Sequence, residues 1–161
     1  MPDLVIGNTS PLFYLHRLGH LDLLQKLYQR VVVPEAVVNE LRAGRAQGED
    51  VPEVVDYDWI AVRSVRVPAL IRLITDLGAG EAQVLALALE EPGSLVILDD
   101  LLARKMAKLQ NIRLTGTAGV ILKAKQEGHI SAVAPLLDRL IQLGFRLSDA
   151  VKASILNLAQ E

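Results

Sequence analysis

The chain has 161 residues, the length of one domain with one sizeable core. Hydrophobic residues make up 51% of it, which excludes a disordered tail, and 17 basic against 19 acidic residues give a net charge of −2, which excludes a uniformly basic nucleic-acid coat. The absence of cysteine removes disulfide scaffolds, thiolate zinc sites and thiol catalysis together, and one Trp with two Phe leaves the core to Leu, Val, Ile and Ala.

Leu4-Val5-Ile6 reads as a short buried strand, broken by Gly7 and Asn8-Thr9-Ser10-Pro11. Ser10 before Pro11 predicts an N-cap with proline at the first helical position. Leu12, Leu15 and Leu18 continue that helix, and Leu21, Leu24 and Leu27 predict another after Gly19. Val31-Val32-Val33 is a second buried strand, and Pro34 starts a helix carrying Val37, Val38 and Leu41. Residues 44–58 are polar and aperiodic, a surface excursion, whereas Trp59 to Val65 alternates like an edge strand. From Gly80 to Glu90 the pattern is apolar nearly all round, which predicts a helix buried in the middle of the protein and stopped by Pro92-Gly93.

Leu95-Val96-Ile97-Leu98 is the clearest buried strand, and Asp99-Asp100 opens a helix with Leu102, Met106 and Leu109. A short strand near Ile112 to Leu114 leads through Thr115-Gly116-Thr117 into a helix from Ala118 to about Glu127. Two closing helices follow, capped by Ser131 and Ser148, with Gly144 between them. Strands separated by helices imply an α/β fold: one domain over 1–161, with a mostly parallel sheet of four or five short strands covered by helices on both faces. Residues 1–130 would hold the sheet and any site, and 131–161 the closing helices. The apolar side chains of those helices, from Leu136 to Leu158, read as core, with a docking face for a second subunit as the other reading. Charge-free runs are too short for a membrane helix and no basic leader precedes the first apolar stretch, so a soluble cytosolic protein is expected.

In an open parallel sheet, ligands gather beyond the carboxyl ends of the strands. Asn8-Thr9-Ser10 follows the first strand and Asp99-Asp100 follows the Leu95–Leu98 strand; Glu40 lies on the helix after the second strand, and Glu81 begins the central helix. Asp99, Asp100 and Glu81 each have a capping explanation. Glu40 does not, because it falls near a helix C-terminus, where the dipole disfavours a carboxylate. Together these oxygens are the donor set of a hard cation such as Mg²⁺ or Mn²⁺, which is held by carboxylates in company with substrate phosphates.

Five blocks in order resemble the PIN-domain family, in its compact prokaryotic branch. They are Val5-Ile6-Gly7-Asn8-Thr9-Ser10-Pro11-Leu12, Val33-Pro34-Glu35-Ala36-Val37-Val38-Asn39-Glu40-Leu41, Leu77-Gly78-Ala79-Gly80-Glu81-Ala82, Leu98-Asp99-Asp100-Leu101-Leu102-Ala103-Arg104 and Leu114-Thr115-Gly116-Thr117-Ala118-Gly119-Val120. The resemblance implies a Mg²⁺- or Mn²⁺-dependent endoribonuclease, often the toxin of a toxin–antitoxin pair, acting as a homodimer. It places the acidic cluster on Asn8, Glu40, Glu81, Asp99 and Asp100, with Asp100 the main ligand after the fourth strand and Thr9 or Ser10 holding the first ligand. The family normally has Asp where this chain has Asn8. An amide oxygen still ligates a hard cation but is neutral, so weaker metal binding and weaker activity are expected.

Charge patterning points the same way. From Leu73 to Ala103 there is no Lys or Arg, and from Leu101 to Gln126 there is no Asp or Glu. An acidic pocket beside a basic bank suits a phosphate backbone, and Arg104, Lys105 and Arg113 are the candidate RNA contacts, Arg104 first. Gly78-Ala79-Gly80 lacks the third glycine of a dinucleotide loop, with Gln83 in its place, and His16 and His20 lack a third ligand. The alternative to a ribonuclease is a catalytically inactive PIN module that binds RNA or a protein partner. A phosphatase-like Mg²⁺ enzyme is disfavoured, since it would want an aspartate nucleophile where Asn8 stands.

Overall fold

The computed structural model describes residues 2–161. Valine-rich runs form three of the five strands: β1 (Val5–Gly7), β2 (Val31–Pro34) and β4 (Leu95–Ile97) are buried at every position. Burial of successive residues on such a strand requires cover on both faces of the sheet. The edges belong to β3 (Ile60–Arg63) and β5 (Arg113–Thr115), whose side chains are partly exposed. All pairings are parallel and the order is β3-β2-β1-β4-β5. The chain therefore winds outward from β1 through β2 to β3, crosses back, and continues from β4 to β5. Strand direction of travel reverses beside β1, the place where a crevice opens at the carboxyl ends.

Nine helices cover the sheet among the described residues: α1 (Thr9–Arg17), α2 (Asp22–Tyr28), α3 (Glu35–Ala46), α4 (Ala69–Arg72), α5 (Ala79–Glu90), α6 (Leu101–Leu109), α7 (Thr117–Gln126), α8 (Ala134–Gln142) and α9 (Asp149–Leu158). Helix α5 packs on β1, β2 and β4 and against α3 and α6, as its all-round apolar sequence requires; Val84 and Leu87 are fully buried. Helix α7 receives α1, α2 and α9. The first-turn amide of Ala36 on α3, unsupported by Pro34, is met from across the core by Gln83 Oε1 at 2.9 Å.

Local differences from the sequence expectation have physical reasons. Helix α1 begins one residue before Ser10, with Asn8 at its N-cap position, because the Ser10 hydroxyl is drawn to Asp99 instead of to its own helix. Ser131 does not cap α8: the N-cap position is Val133, and Glu161 supplies the missing acceptor from the other end of the closing pair. Residues 44–58 are not wholly a surface excursion, since α3 runs to Ala46 and Val51 and Val54 return to the core. Helix α4, with Leu70 exposed on it and Leu73 exposed just after it, has no sequence signal beyond Pro68 before it. Ser148 caps α9 through Val151 N–H at 3.2 Å, and Gly144 turns the chain after α8 at φ 99°, a conformation that favours glycine. In the closing helices Leu136, Leu137, Leu140 and Ile155 are buried, while Ile141, Val151 and Leu158 are exposed.

The Glu161 carboxylate accepts from Val133 N–H at 2.7 Å and Ala134 N–H at 3.0 Å and pairs with Lys125 Nζ at 2.9 Å. These backbone donors, with Lys125, pull its carboxyl down to about 2. A lowered folded-state value stabilises the fold above the ordinary carboxyl range and loses that contribution as pH falls toward the folded value. Glu161→Gln is expected to lower the melting temperature at pH 7, with the difference from the parent chain shrinking between pH 4.5 and 2, as read by calorimetry across that range.

Candidate active site at the carboxyl rim

β1 ends at Gly7 and β4 at Ile97, residues that pair with each other, so Asn8 and Asp99 enter the rim from adjacent strands. Asn8 N–H donates to the Ile97 carbonyl at 3.2 Å, one residue past the end of β1. Asn8 is 3% exposed and its Oδ1 has no hydrogen-bond partner. Ser94 Oγ is the other such atom among the described residues, but it lies at the amino end of β4. A buried acceptor without a donor is costly, and at the rim this cost falls on Asn8 alone.

Glu40 reaches the same spot from the middle of α3, not from near its C-terminus as expected from the sequence, because the helix runs on to Ala46; Thr9 Oγ1–H donates to its Oε1 at 2.9 Å. Both side chains converge on Gly80 in the first turn of α5. A Cβ there would stand 2.9 Å from Glu40 Oε2 and 3.0 Å from Asn8 Oδ1, and closer still to Glu40 Oε1. Bare backbone at Gly80 is thus a condition for the two oxygens to meet. One residue on, the Glu81 carboxylate folds back over Gly78. Burial raises its carboxyl above the usual range; its own backbone N–H opposes this, and the charges of Glu40 and Asp100 push it further up.

Asp99 and Asp100 divide the work that the sequence left between them. Asp99 accepts Ser10 Oγ–H at 2.8 Å, Thr117 N–H at 2.8 Å and Thr117 Oγ1–H at 2.6 Å. It therefore joins the starts of α1 and α7 to the end of β4. Asp100 is the N-cap of α6, with Oδ2 accepting from Ala103 N–H at 2.9 Å, and its charge is felt by Glu81. Thr117, fully buried, was not singled out in the sequence; the signal was its place one residue past Gly116 at the end of β5. At Gly116 too a side chain would crowd the rim, since a Cβ would meet Asp99 Oδ1 at 2.8 Å and Arg104 Nη1 at 3.0 Å.

The basic candidates separate. Arg104 lies beside Asp99, with Nη1 donating to the Leu98 carbonyl at 2.8 Å. Lys105 is exposed next to it on α6. Arg113 is not brought to this rim: it opens β5 opposite Leu95, at the amino end of the sheet. His16 is explained by a 2.9 Å contact with Asp50 and belongs to no cluster with His20.

A family model described as DUF3368, a PIN domain, matches residues 4–161. The chain is a PIN domain. No curated protein and no solved structure matches it. The five-stranded parallel sheet with helices on both faces accords with this family.

Does the PIN rim suit a divalent cation? The orphaned Asn8 Oδ1, the carboxylate of Glu40 beside it and the mutual charge pressure of Glu81 with Glu40 and Asp100 are the oxygen donors and the negative potential that such an ion neutralises. They do not form a closed cage: among the described residues, no group of three or more His, Asp or Glu side chains could hold a metal ion by themselves. Asn8 contributes a neutral amide oxygen and no charge to the set.

Two measurements check this geometry. Thr117→Val keeps the shape but removes one donor to Asp99, and is expected to cost about 1.5–3 kcal/mol in urea unfolding, the range for hydrogen bonds to a charged group. For Glu81, a raised folded-state value means that its contribution is complete below the ordinary carboxyl range and is lost as pH rises through the folded value. Glu81→Gln is therefore expected to gain stability relative to the parent chain as pH is raised from 4 toward 7, measured by denaturant titration at each pH.

Proposed function

We propose that this PIN domain is an endoribonuclease acting on RNA phosphodiesters with Mg²⁺ or Mn²⁺, its activity lowered by Asn8. The observation that carries the reading is the buried, unpartnered Asn8 Oδ1 facing Glu40 across Gly80, at the switch point of the sheet. Asn8 and Glu40 would hold the cation, with Glu81 and Asp100 adding negative charge; when bound, the ion supplies a more acidic water and neutralises charge on the phosphate.

The remaining chemistry belongs to the chain. Thr9 fixes the orientation of Glu40 by its hydroxyl. Glu81, whose raised carboxyl accepts a proton more readily than an ordinary one, is placed to take a proton at a carboxylate oxygen from an attacking water. Asp99 holds the rim rigid through Ser10 and Thr117, and Arg104 and Lys105 on α6 offer positive charge to the phosphates. A side-chain nucleophile is not required, in keeping with a chain that has no cysteine.

Asn8 also favours a second reading, a PIN module that binds RNA or a protein without cutting. A homodimer and an antitoxin partner are parts of the proposal that follow from the family resemblance, and a cytosolic setting is a part that follows from the sequence pattern; no helix among the described residues is long and apolar enough to cross a membrane. Cleavage of a single-stranded RNA panel in Mn²⁺ and Mg²⁺ separates the readings. Asn8→Asp is expected to cut at least about tenfold faster than the parent chain, and Asp100→Ala in the Asn8→Asp background is expected to lose that gain. Metal-independent RNA retention with no products from either the parent chain or Asn8→Asp would sink the catalytic reading in favour of the binding module.

A further inference from the structure

Beside the rim lies a cavity that the cluster around Asn8 does not use. Its volume is about 980 Å³, and it extends from Asp99 and Gly116, past Arg104, to Phe145 and Arg146 on the turn between α8 and α9. Leu114, Val151 and Ile155 give it apolar walls. A concave, mostly apolar pocket of this size with a few polar groups at its edge is the ordinary form of a small-ligand site.

Its chemistry narrows the ligand. Asp99 is the one carboxylate among the lining residues, and its charge is already engaged by Ser10 and Thr117, whereas two arginines line the same space, Arg104 with Nη1 on the Leu98 carbonyl. The ligand is therefore anionic at one end and apolar at the other. Phe145 lines the cavity and is braced by other rings: Tyr14 packs at a right angle to it, 5.2 Å and 88°, and Phe13 packs likewise on Tyr14 at 5.0 Å and 89°. The fold thus brings to this one place three of the few aromatic residues in the chain, from positions 13, 14 and 145. An aromatic ring beside arginines is how single-stranded nucleic acid is held, with bases on the ring and phosphates on the cations.

We propose that this cavity is a nucleobase subsite, which takes the base of a nucleotide adjoining the scissile phosphate against Phe145 while Arg104 and Arg146 hold the flanking phosphates. Continuity through Asp99, which borders both the cavity and the rim cluster, makes the two parts of one RNA-binding surface. The inference rests on the RNA reading above and adds to it where sequence-tolerant grip on the strand comes from.

The test is binding, with no turnover needed. The full chain is titrated into fluorescein-labelled single-stranded pentaribonucleotides, intact or with one abasic ribose at each position in turn, in EDTA and again in Ca²⁺. The expected result is that one abasic position weakens binding about tenfold, within the range for loss of a base–aromatic stack. Phe145→Leu should weaken the intact RNA by the same factor and that abasic RNA no further. Phe145→Tyr, which keeps the ring, should bind both as the parent chain does, and Arg146→Ala should weaken both alike. RNA bound with a flat abasic series, or a Phe145→Leu loss that is equal for every oligomer, overturns the subsite and leaves the RNA reading standing. Loss of self-association by Phe145→Leu in sedimentation, with RNA binding unchanged, also overturns it and assigns the cavity to a protein interface. Failure of the parent chain to bind any RNA removes the RNA reading and the subsite together. Thermal unfolding of each variant identifies any that does not fold, and the abasic series on the parent chain decides the question without them.

Discussion

The reversal of strand order beside β1 forces two strand ends with different histories to lie side by side, and their polar side chains have to be reconciled there. Asp99 does most of this. Its carboxylate gathers the Ser10 hydroxyl, the Thr117 amide and the Thr117 hydroxyl, so the ends of β1, β4 and β5 are tied through a single charge. A charged acceptor with three donors is a strong local constraint, and it explains why Ser10 is unavailable to its own helix and why Gly116 has to be bare. Arg104 lies against that fixed point across Gly116, while the approach of Glu40 to Asn8 is set by Thr9 and the bare Gly80.

Much of the fold was legible because its signals are local. Runs such as Val31-Val32-Val33 and Leu95-Val96-Ile97 can only be strands buried on both faces, and the all-round apolar pattern of α5 can only be a central helix. The rim candidates followed from the same reasoning, since carboxyl ends of strands are countable in sequence. What was not legible depends on partners distant in the chain. Ser131 looks like a cap until Glu161 arrives to do the capping, and Ser10 looks like one until Asp99 takes its hydroxyl. Thr117 carries no pattern of its own because its partner, Asp99, lies 18 residues away on another strand end, and the pairing of Tyr14 with Phe145 joins elements separated by most of the sequence. Arg113 shows the converse: charge patterning in sequence cannot say at which end of a strand a residue lies.

Asn8 changes the electrostatics of the rim as well as its ligand set. Burial already holds the Glu81 carboxyl high, and the charges of Glu40 and Asp100 add to it. A fourth carboxylate at the buried end of β1 would add to that pressure in a space with little solvent to screen it. The amide relieves the chain of this charge and leaves an unpaired oxygen instead. With asparagine at position 8 the rim carries one negative charge fewer than a carboxylate there would give it.

The position of Trp59 has a practical consequence of a different kind. It is the sole tryptophan, 9% exposed, packed 5.6 Å from Tyr57 just ahead of β3 at the amino end of the outermost strand. Its emission therefore reports on whether the edge of the sheet is assembled and is remote from events at the opposite rim. In this protein intrinsic fluorescence serves as a clean gauge of unfolding during titrations, undisturbed by whatever occupies the site, while occupancy itself has to be followed by a label on the ligand.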